Sequence, residues 1–588
     1  RQRTDFLTFI NSQTTGIVQD IPKATRPETN TTPDIVITSG NLSQRCTIAV
    51  LDPLGSDHVP VKLSITSRHT QNPQYPVPRT VLCFDRTNWD AYRDYITDQL
   101  QGQADPTSED EMYVLLAHIT NSLQSATTKF IPTSTITPSK PKLPPHYLPL
   151  IQRSRQFYRD FERTGNRDSL THHRQLQRTV RNYVKAYKLR QWIKACNSLN
   201  TAAHPSRYWK RFSSLCGKST RSAYPLIDGP NPLHADVDKA NAFATHLQTV
   251  FTPTMPTVPE RNHPVRRFNF LSPELQPNAD HTLPDNHQLA APITCDDITQ
   301  VIAYKRNSAP GIDRISYRHV KEGPYVLIHL LAAIFTFILR TGFIPVDWKT
   351  SKTLMFLKPN KPPNSVSSYR PIQLSSVLSK ILERIIVRRL HAHLSSHNLL
   401  PLEQAGFRPQ FGINDQLLRL TNVITNHFCT SKPSCLLLFD LEKAFDRVWH
   451  SGLLRKLTRF NLPVSFLRLI YNFLLCRITY VSINNCLSYP VFLNCGVPQG
   501  SALSPVLYLL YVADLPQSIT DVHLFQYADD TAFLATGQTI QQINRTLQRA
   551  IDNFVKWCNL WRLTINAAKT QAVVFLSPKK RSKIQRNP

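Results

Sequence analysis

The stretch LFQYADDTAFLAT, residues 524–536, sets two adjacent acids, Asp529 and Asp530, between apolar runs. Another acid, Asp440, directly follows the apolar run Cys435–Phe439. Such a run reads as a buried strand delivering an acid at its carboxyl end, where active sites tend to sit. If the strands are neighbours in one sheet, three carboxylates converge. Their pKa values then rise, or a cation neutralises them. Hard oxygen donors of this kind select Mg²⁺, which keeps some waters and takes substrate phosphates as further ligands. Two-metal phosphoryl transfer is the chemistry that uses this arrangement. Taken alone, the Asp-Asp doublet reads as a polar turn; only its company makes it informative.

That company is close in sequence. CGVPQGSALSPVLYLLYVADL, 495–515, offers Gly496 and Gly500, which let backbone approach a substrate, and Ser504-Pro505, which opens an apolar helix. Downstream, LTINAAKTQAVVF places Lys569 between two strand-like runs. Upstream, residues 348–376 supply Lys358, Lys361 and Arg370 as phosphate-reading cations.

The elements that must position these groups follow from pattern. VHLFQ (522–526) and TAFLA (531–535) predict a β-hairpin with the acids at its turn. Thr294 and Asp297 form a capping box that opens a helix through Ile298, Val301 and Ile302. From 293 to 577 strands and helices alternate, which predicts one α+β or α/β catalytic body. Before it, TPDIVITSG and SDHVPVKLSI give two β-like segments within 1–66. Residues 67–149 read as a linker with a helix-like piece near 107–130 and a Pro-rich end. Residues 222–292 read as a helix and a second Pro-rich linker, and 578–588 as a basic tail.

Residues 150–221 form a basic helical region. From Arg153 to Arg221 there are 17 Lys/Arg and three acids. Leu176, Val180, Tyr183 and Tyr187 recur at 4-3-4 spacing, so one stripe packs and the rest stays cationic. Tyr158, Tyr183, Tyr187, Trp192 and Trp209 also suit stacking on bases. An ordinary amphipathic surface helix is the other reading.

Composition agrees with a polyanionic partner: 69 Lys+Arg against 40 Asp+Glu leave +29 over 588 residues. The 11 cysteines show no CxxC pair and no zinc-ligand spacing, as expected of a reducing intracellular setting. The apolar stretch at 325–345 holds His329 and Arg340 and is too short for a membrane span, so it predicts a buried helix. The opening RQRTDF lacks a methionine and suggests a fragment.

The ordered set FDLEKAFD, GVPQGSALSP, YADD and LTINAAKT resembles the reverse transcriptases of non-LTR (LINE-type) retrotransposons, the jockey-like group in particular. APGIDRIS, YRPIQLSS and QAGFRPQFGIND match earlier blocks of that family, so the resemblance spans about 290–577. It implies a right-hand polymerase with palm and fingers, the thumb absent or incomplete. By the same match Asp440 and Asp529 are metal-binding acids and Asp530 their neighbour, holding two Mg²⁺ ions, with Mn²⁺ as the alternative. Phe445 is an aromatic gate against a ribose 2′-OH, and Asp446 is structural. Gln499 and Gly500 lie along nucleotide and template, Lys358 and Arg370 hold the triphosphate, and Lys569 protonates pyrophosphate. The implied partners are template RNA, a DNA primer and dNTPs, without a membrane, in nucleus and cytoplasm.

Residues 1–66 resemble the C-terminal remnant of an endonuclease of the exonuclease–endonuclease–phosphatase family. Asp34, Asp57 and His58 match its last blocks. Two other readings compete with a reverse transcriptase: a viral RNA-dependent RNA polymerase, and a decayed element that binds nucleic acid without catalysis.

Overall fold

In a computed structural model of the chain, the described residues are 17–19, 24, 26, 36–38, 46–51, 59, 61–65, 79–136, 147–197, 225–227, 232–252, 288–305, 308–359, 361–460, 462–484 and 486–576. Contacts divide the chain into two compact units: Arg1–Val81 with Thr135–Ser222, and Leu82–Ser134 with Ala223–Pro588.

The first unit holds an antiparallel pair of strands, Cys46–Val50 and Val61–Ile65. It also holds a helical hairpin, α1 (Leu148–Thr164) and α2 (Arg167–Asn197). Gly165 ends α1 at φ +71°, the left-handed conformation that a helix C-terminus favours and glycine adopts without strain.

The second unit carries the motifs of 293–577 on two four-stranded sheets. The first sheet has β1 (Thr350–Leu357), β2 (Tyr369–Leu374), β4 (Arg477–Ile483) and β5 (Cys486–Leu493) in the order β2-β1-β4-β5. Only β1 and β4 run parallel. The second sheet has β3 (Ser434–Phe439), β6 (His523–Tyr527), β7 (Asp530–Thr536) and β8 (Gln571–Phe575) in the order β6-β7-β3-β8, all antiparallel.

Helix α3 (Asp236–Val250) lies on the first sheet, with Phe243, Ala244 and Leu247 against Val481 and Val491. It is fastened by Thr245 and Tyr489, whose hydroxyls stand 2.7 Å apart. The apolar segment at 325–345 forms α4 (Tyr325–Thr341), a helix buried along most of its circumference. Among the described residues no helix is long and apolar enough to cross a membrane.

The run Cys435–Phe439 of strand β3 is apolar because helices pack on both faces of the strand, with Leu438 alone left exposed near its end. Helix α5 (Ile413–Cys429) covers one, with Ile424 against Leu436, Phe525, Ala532 and Leu534. Helix α6 (Ser504–Val512) is part of the core on the other side, and α7 (Ile540–Leu560) packs there through Phe554 on Phe439 and Phe533, ring centroids 5.2 Å apart in both pairs. The spacing of Ile543, Leu547, Ala550, Phe554 and Trp557 gives α7 one apolar face, and Thr539 caps it.

The segment expected to be a linker contributes to this core. Helices Trp89–Leu100 and Glu109–Phe130 bury Tyr92, Ile96, Leu116, Ile119 and Leu123 in it. Tyr92 donates to the His319 carbonyl at 3.3 Å, and Gln124 to the Asp313 carbonyl at 3.0 Å. The two helices are capped by Asn88 and Ser108, with acids in their first turns.

Candidate active site

The acid turn is held by a segment far away in sequence. Tyr527 and Asp530 pair across the hairpin, leaving Ala528 and Asp529 as a two-residue turn. Ala528 sits at φ +58°, a conformation that disfavours a side chain. Gln404 secures it from both sides: its Oε1 accepts from the Ala528 amide at 2.9 Å and its Nε2 donates to the Ala528 carbonyl at 3.1 Å. Backbone bonds from Gln526 to Glu403 (2.8 Å) and from Ala405 to Gln526 (3.1 Å) lay this segment along β6. Gly406 fits because a Cβ there would come within 2.1 Å of the Ala528 nitrogen. The turn is therefore built from two chain regions.

Asp440 reaches the same place from β3. Phe439 pairs with Thr531, so Asp440 follows the strand beside Asp530. Its Oδ2 accepts from Lys569 Nζ at 2.8 Å and from Asn566 Nδ2 at 3.2 Å. Backbone bonds Glu442 to Thr564 and Asn566 to Asp440, both 2.8 Å, stitch the lysine-bearing segment to the end of β3. Burial pushes the Asp529 carboxyl above its ordinary range, the negative charges of Asp530 and Asp440 push it further, and Arg370 opposes them. Asp530 is raised by burial and by Asp440, with Lys569 opposing. These acids are short of positive charge as they stand.

A cleft of about 770 Å³ gathers residues from across the second unit. Lys358, Arg370, Asp440, Phe445, Gln499, Gly500, Asp529 and Lys569 all line it. Asp530 instead faces an adjoining cavity that it shares with Asp440 and Lys569. Lys358 is held below the usual lysine range by burial and then by Arg370, Lys569 and Lys361, a crowd of cations suited to a polyanion. Its Nζ donates to the Ser367 carbonyl at 3.0 Å.

The Gln499–Gly500 loop lies against β2, the edge strand of the first sheet. The Gln499 carbonyl accepts from the Gln373 amide at 2.7 Å. Gly500 lies at φ +123°, and a Cβ there would meet the Gln373 carbonyl oxygen at 2.3 Å. The Gln499 side chain donates to Asp446 Oδ1 at 2.7 Å. Asp446 is buried, and burial pushes its carboxyl up to about 6 against the Gln499 bond and the charges of Lys443, Lys358 and Arg447.

Phe445 is half-buried at the cleft wall. Its ring stacks on Tyr508 at 4.6 Å, and Phe407 meets its edge at 6.0 Å. Sequence reading assigned nothing to Tyr508, Asn566 or Gln404. All three stand in blocks already singled out, Gln404 in QAGFRPQFGIND, Tyr508 in the 495–515 stretch and Asn566 in LTINAAKT, but nothing in those blocks marks their contacts. Asp34, Asp57, His58 and Trp209 lie outside the described residues.

Among the described residues, no three His, Cys, Asp or Glu side chains gather into a ready-made metal shell. The donor chemistry nevertheless fits a hard divalent cation: partly buried carboxylates raised by mutual repulsion, with an ammonium already drawn onto Asp440. Such a cation would complete its shell with water and ligand oxygens.

Residues 357–585 match the family model described as reverse transcriptase (RNA-dependent DNA polymerase). The RNA-directed DNA polymerase from mobile element jockey of Drosophila funebris is 28% identical over 557 residues, covering 92% of this chain and 59% of that protein. Its Drosophila melanogaster counterpart is 28% identical over 570 residues, with 92% and 59% covered. The Pol polyprotein from the type-1 retrotransposable element R2 of Popillia japonica is 25% identical over 299 residues, 48% of this chain and 39% of that one. This chain thus spans 59% of the length of the jockey relatives. Apo telomerase from Candida tropicalis aligns with 14% identity over 40% of this chain and 51% of that one, at a TM-score of 0.30, too loosely to inform the fold. Residues 357–585 are thus similar to reverse transcriptases, and the chain as a whole is similar to RNA-directed DNA polymerases of mobile elements.

Proposed function

We propose that this chain is the RNA-directed DNA polymerase of a non-LTR retrotransposon, adding deoxynucleotides to a primer 3′-OH opposite template RNA. The observation that carries the reading is the convergence of acids, cations and the Phe445 ring in a single cleft from segments scattered between 358 and 569. The second sheet serves as the palm, and the first sheet with its helices as the fingers.

Asp440 and Asp529 would hold two Mg²⁺ ions, or Mn²⁺, with Asp530 in support. Bound there, the metal supplies an activated 3′-oxygen and a stabilised leaving oxygen. Arg370 and Lys358 bind the triphosphate by charge. Lys569 Nζ, held on Asp440 at rest, carries the proton that pyrophosphate takes as it leaves. Phe445, backed by Tyr508, closes the space beside C2′ so that a ribose hydroxyl collides with it. Gln499 and Gly500 run along the nucleotide and template. The fixed backbone approach at Gly500 supports that role.

In this reading residues 1–66 belong to an endonuclease domain, with Asp34, Asp57 and His58 among its site residues, and the protein works in nucleus and cytoplasm. The test is primer extension on an RNA template with dNTPs and with rNTPs. The wild type should extend with dNTPs, and Phe445→Val should raise ribonucleotide incorporation about 10- to 100-fold, the discrimination available to one shape contact. Unchanged sugar selectivity sinks the gate, preferred ribonucleotide use favours an RNA polymerase, and binding without extension favours the decayed element.

A further inference from the structure

The helix Val377–Ser396 buries Ile381, Leu382, Ile385 and Ile386, yet it carries a carboxylate among them. Glu383 is only 3% exposed. A buried carboxylate costs stability unless donors surround it, so its partners say what it is for. One is local: Ser379, a turn earlier in the helix, donates to Oε1 at 3.0 Å. The other two come from the far side of the Gln499–Gly500 loop. Ser501 Oγ donates to Oε2 at 2.5 Å, and the Ala502 amide donates to the same oxygen at 2.7 Å. The charge of Glu383 also acts on Lys380 and Arg477, both buried.

Ser501 extends this grip along the chain. Its Oγ accepts from the Leu503 amide at 3.1 Å, where α6 begins, and the residue lines the cleft beside Gln499 and Gly500. On the other side of Gly500, Gln373 of β2 and Asp446 hold Gln499. The helix that bears Glu383 is fixed in turn. It starts directly after β2, the strand of Arg370, and a Cβ on Gly311 would come within 2.8 Å of the Ser375 carbonyl carbon. The loop at the cleft and the strand carrying Arg370 are thus tied together twice, by Gln373 and by Glu383.

We propose that Glu383 is a positioning residue of the nucleotide site. It holds the turn 500–502 at the depth where Gln499 and Gly500 border the incoming nucleotide, and it fixes that turn relative to Arg370. The inference rests on the polymerase reading above for the identity of the ligand. Packing alone would be served at lower cost by an aliphatic side chain, as at Leu382 and Ile386 nearby. An acceptor is needed because one oxygen must take two donors of the turn at once. With the grip lost, the template would still bind, but the nucleotide would be bordered loosely.

The test uses the full chain in single-turnover primer extension over a range of dNTP concentrations, with hydrogen exchange of the amides 499–503 measured in parallel. Ser501→Ala deletes one bond and keeps the charge. It should raise the dNTP concentration for half-maximal rate about tenfold, the worth of one hydrogen bond to a charged group, with template affinity and maximal rate near the wild type. Glu383→Leu should raise it about 100-fold, the penalty of a misplacement near 1 Å. Glu383→Gln should stay within about threefold of the wild type, because its Oε1 can accept from both turn donors and its amide can donate to Ser379. Exchange at 499–503 should quicken in Ser501→Ala and Glu383→Leu and stay slow in Glu383→Gln. If Glu383→Leu does not fold, Ser501→Ala against Glu383→Gln carries the comparison. An unchanged dNTP dependence in Ser501→Ala overturns the proposal, as does template affinity falling in step with it, or a Glu383→Gln more impaired than Ser501→Ala. Quickened exchange with no extension by the wild type would refute the polymerase reading alone. Extension by the wild type with exchange unchanged in every variant would refute the role of Glu383 alone.

Discussion

The cleft and the hairpin use charge in opposite ways. In the cleft the acids Asp440, Asp446 and Asp529 stand buried or half-buried, each met by a group from another chain segment: Lys569 on Asp440, Gln499 on Asp446, and the charge of Arg370 acting on Asp529. In the hairpin many charges stand exposed on one helix, α2, which holds a single acid, Asp168. Desolvated charge acts through position, because each loss leaves a neighbour unpaired at low dielectric. Exposed charge acts through number, because water and salt soften every single contact. The two regions should therefore answer substitution on very different scales.

The largest response belongs to Asp440. Asp440→Asn should lower single-turnover nucleotide addition by about three orders of magnitude while template affinity stays at the wild-type value, since the change falls on transition-state charge. Equal losses in both quantities would erase the distinction between the regions.

Asp446 comes next and reports through pH. Its folded-state carboxyl is raised to about 6, so the folded protein holds the proton more tightly than the unfolded chain. The stability this contributes is present below about pH 4 and lost as pH rises through 6, on the order of 3 kcal/mol in all. Asp446→Asn should gain that amount over the wild type between pH 4 and 7 in urea unfolding. Parallel profiles would show that the buried carboxyl is not strained.

Gln404 follows. Gln404→Leu leaves the Ala528 amide and carbonyl without their partner, a loss of about 1–3 kcal/mol, and lets the acid turn drift. Nucleotide addition should fall about 10- to 100-fold with template binding intact, and an unchanged rate would mean that the turn holds itself. The smallest effect is expected on the hairpin. Arg178→Gln removes one exposed charge among many, so it should change RNA binding by no more than about fivefold at 0.1 M salt and leave addition at saturating RNA unchanged.

What was legible beforehand follows the same division. Asp440 and Asp529 could be placed because each ends or interrupts an apolar run, and a strand pattern is a local property. Their pairing partner was inferable, since acids on neighbouring strands must meet. The supports were not legible: Gln404 acts on Ala528 and Tyr508 on Phe445 across long sequence separations, and no local pattern encodes those contacts. Tyr158 shows the converse limit. An aromatic among arginines looks like a base platform, but the antiparallel return of α2 buries it against His173. The helices of 89–130 read as part of a linker because their capped, polar-faced patterns do not reveal that α4 needs them for cover.

The most direct test of the polymerase reading is single-turnover primer extension on an RNA template with Mg²⁺, comparing the wild type with Asp529→Asn at matched template binding. The account predicts dNTP-dependent extension by the wild type and a loss of about 10³-fold in the variant. Equal extension by the two proteins would contradict it.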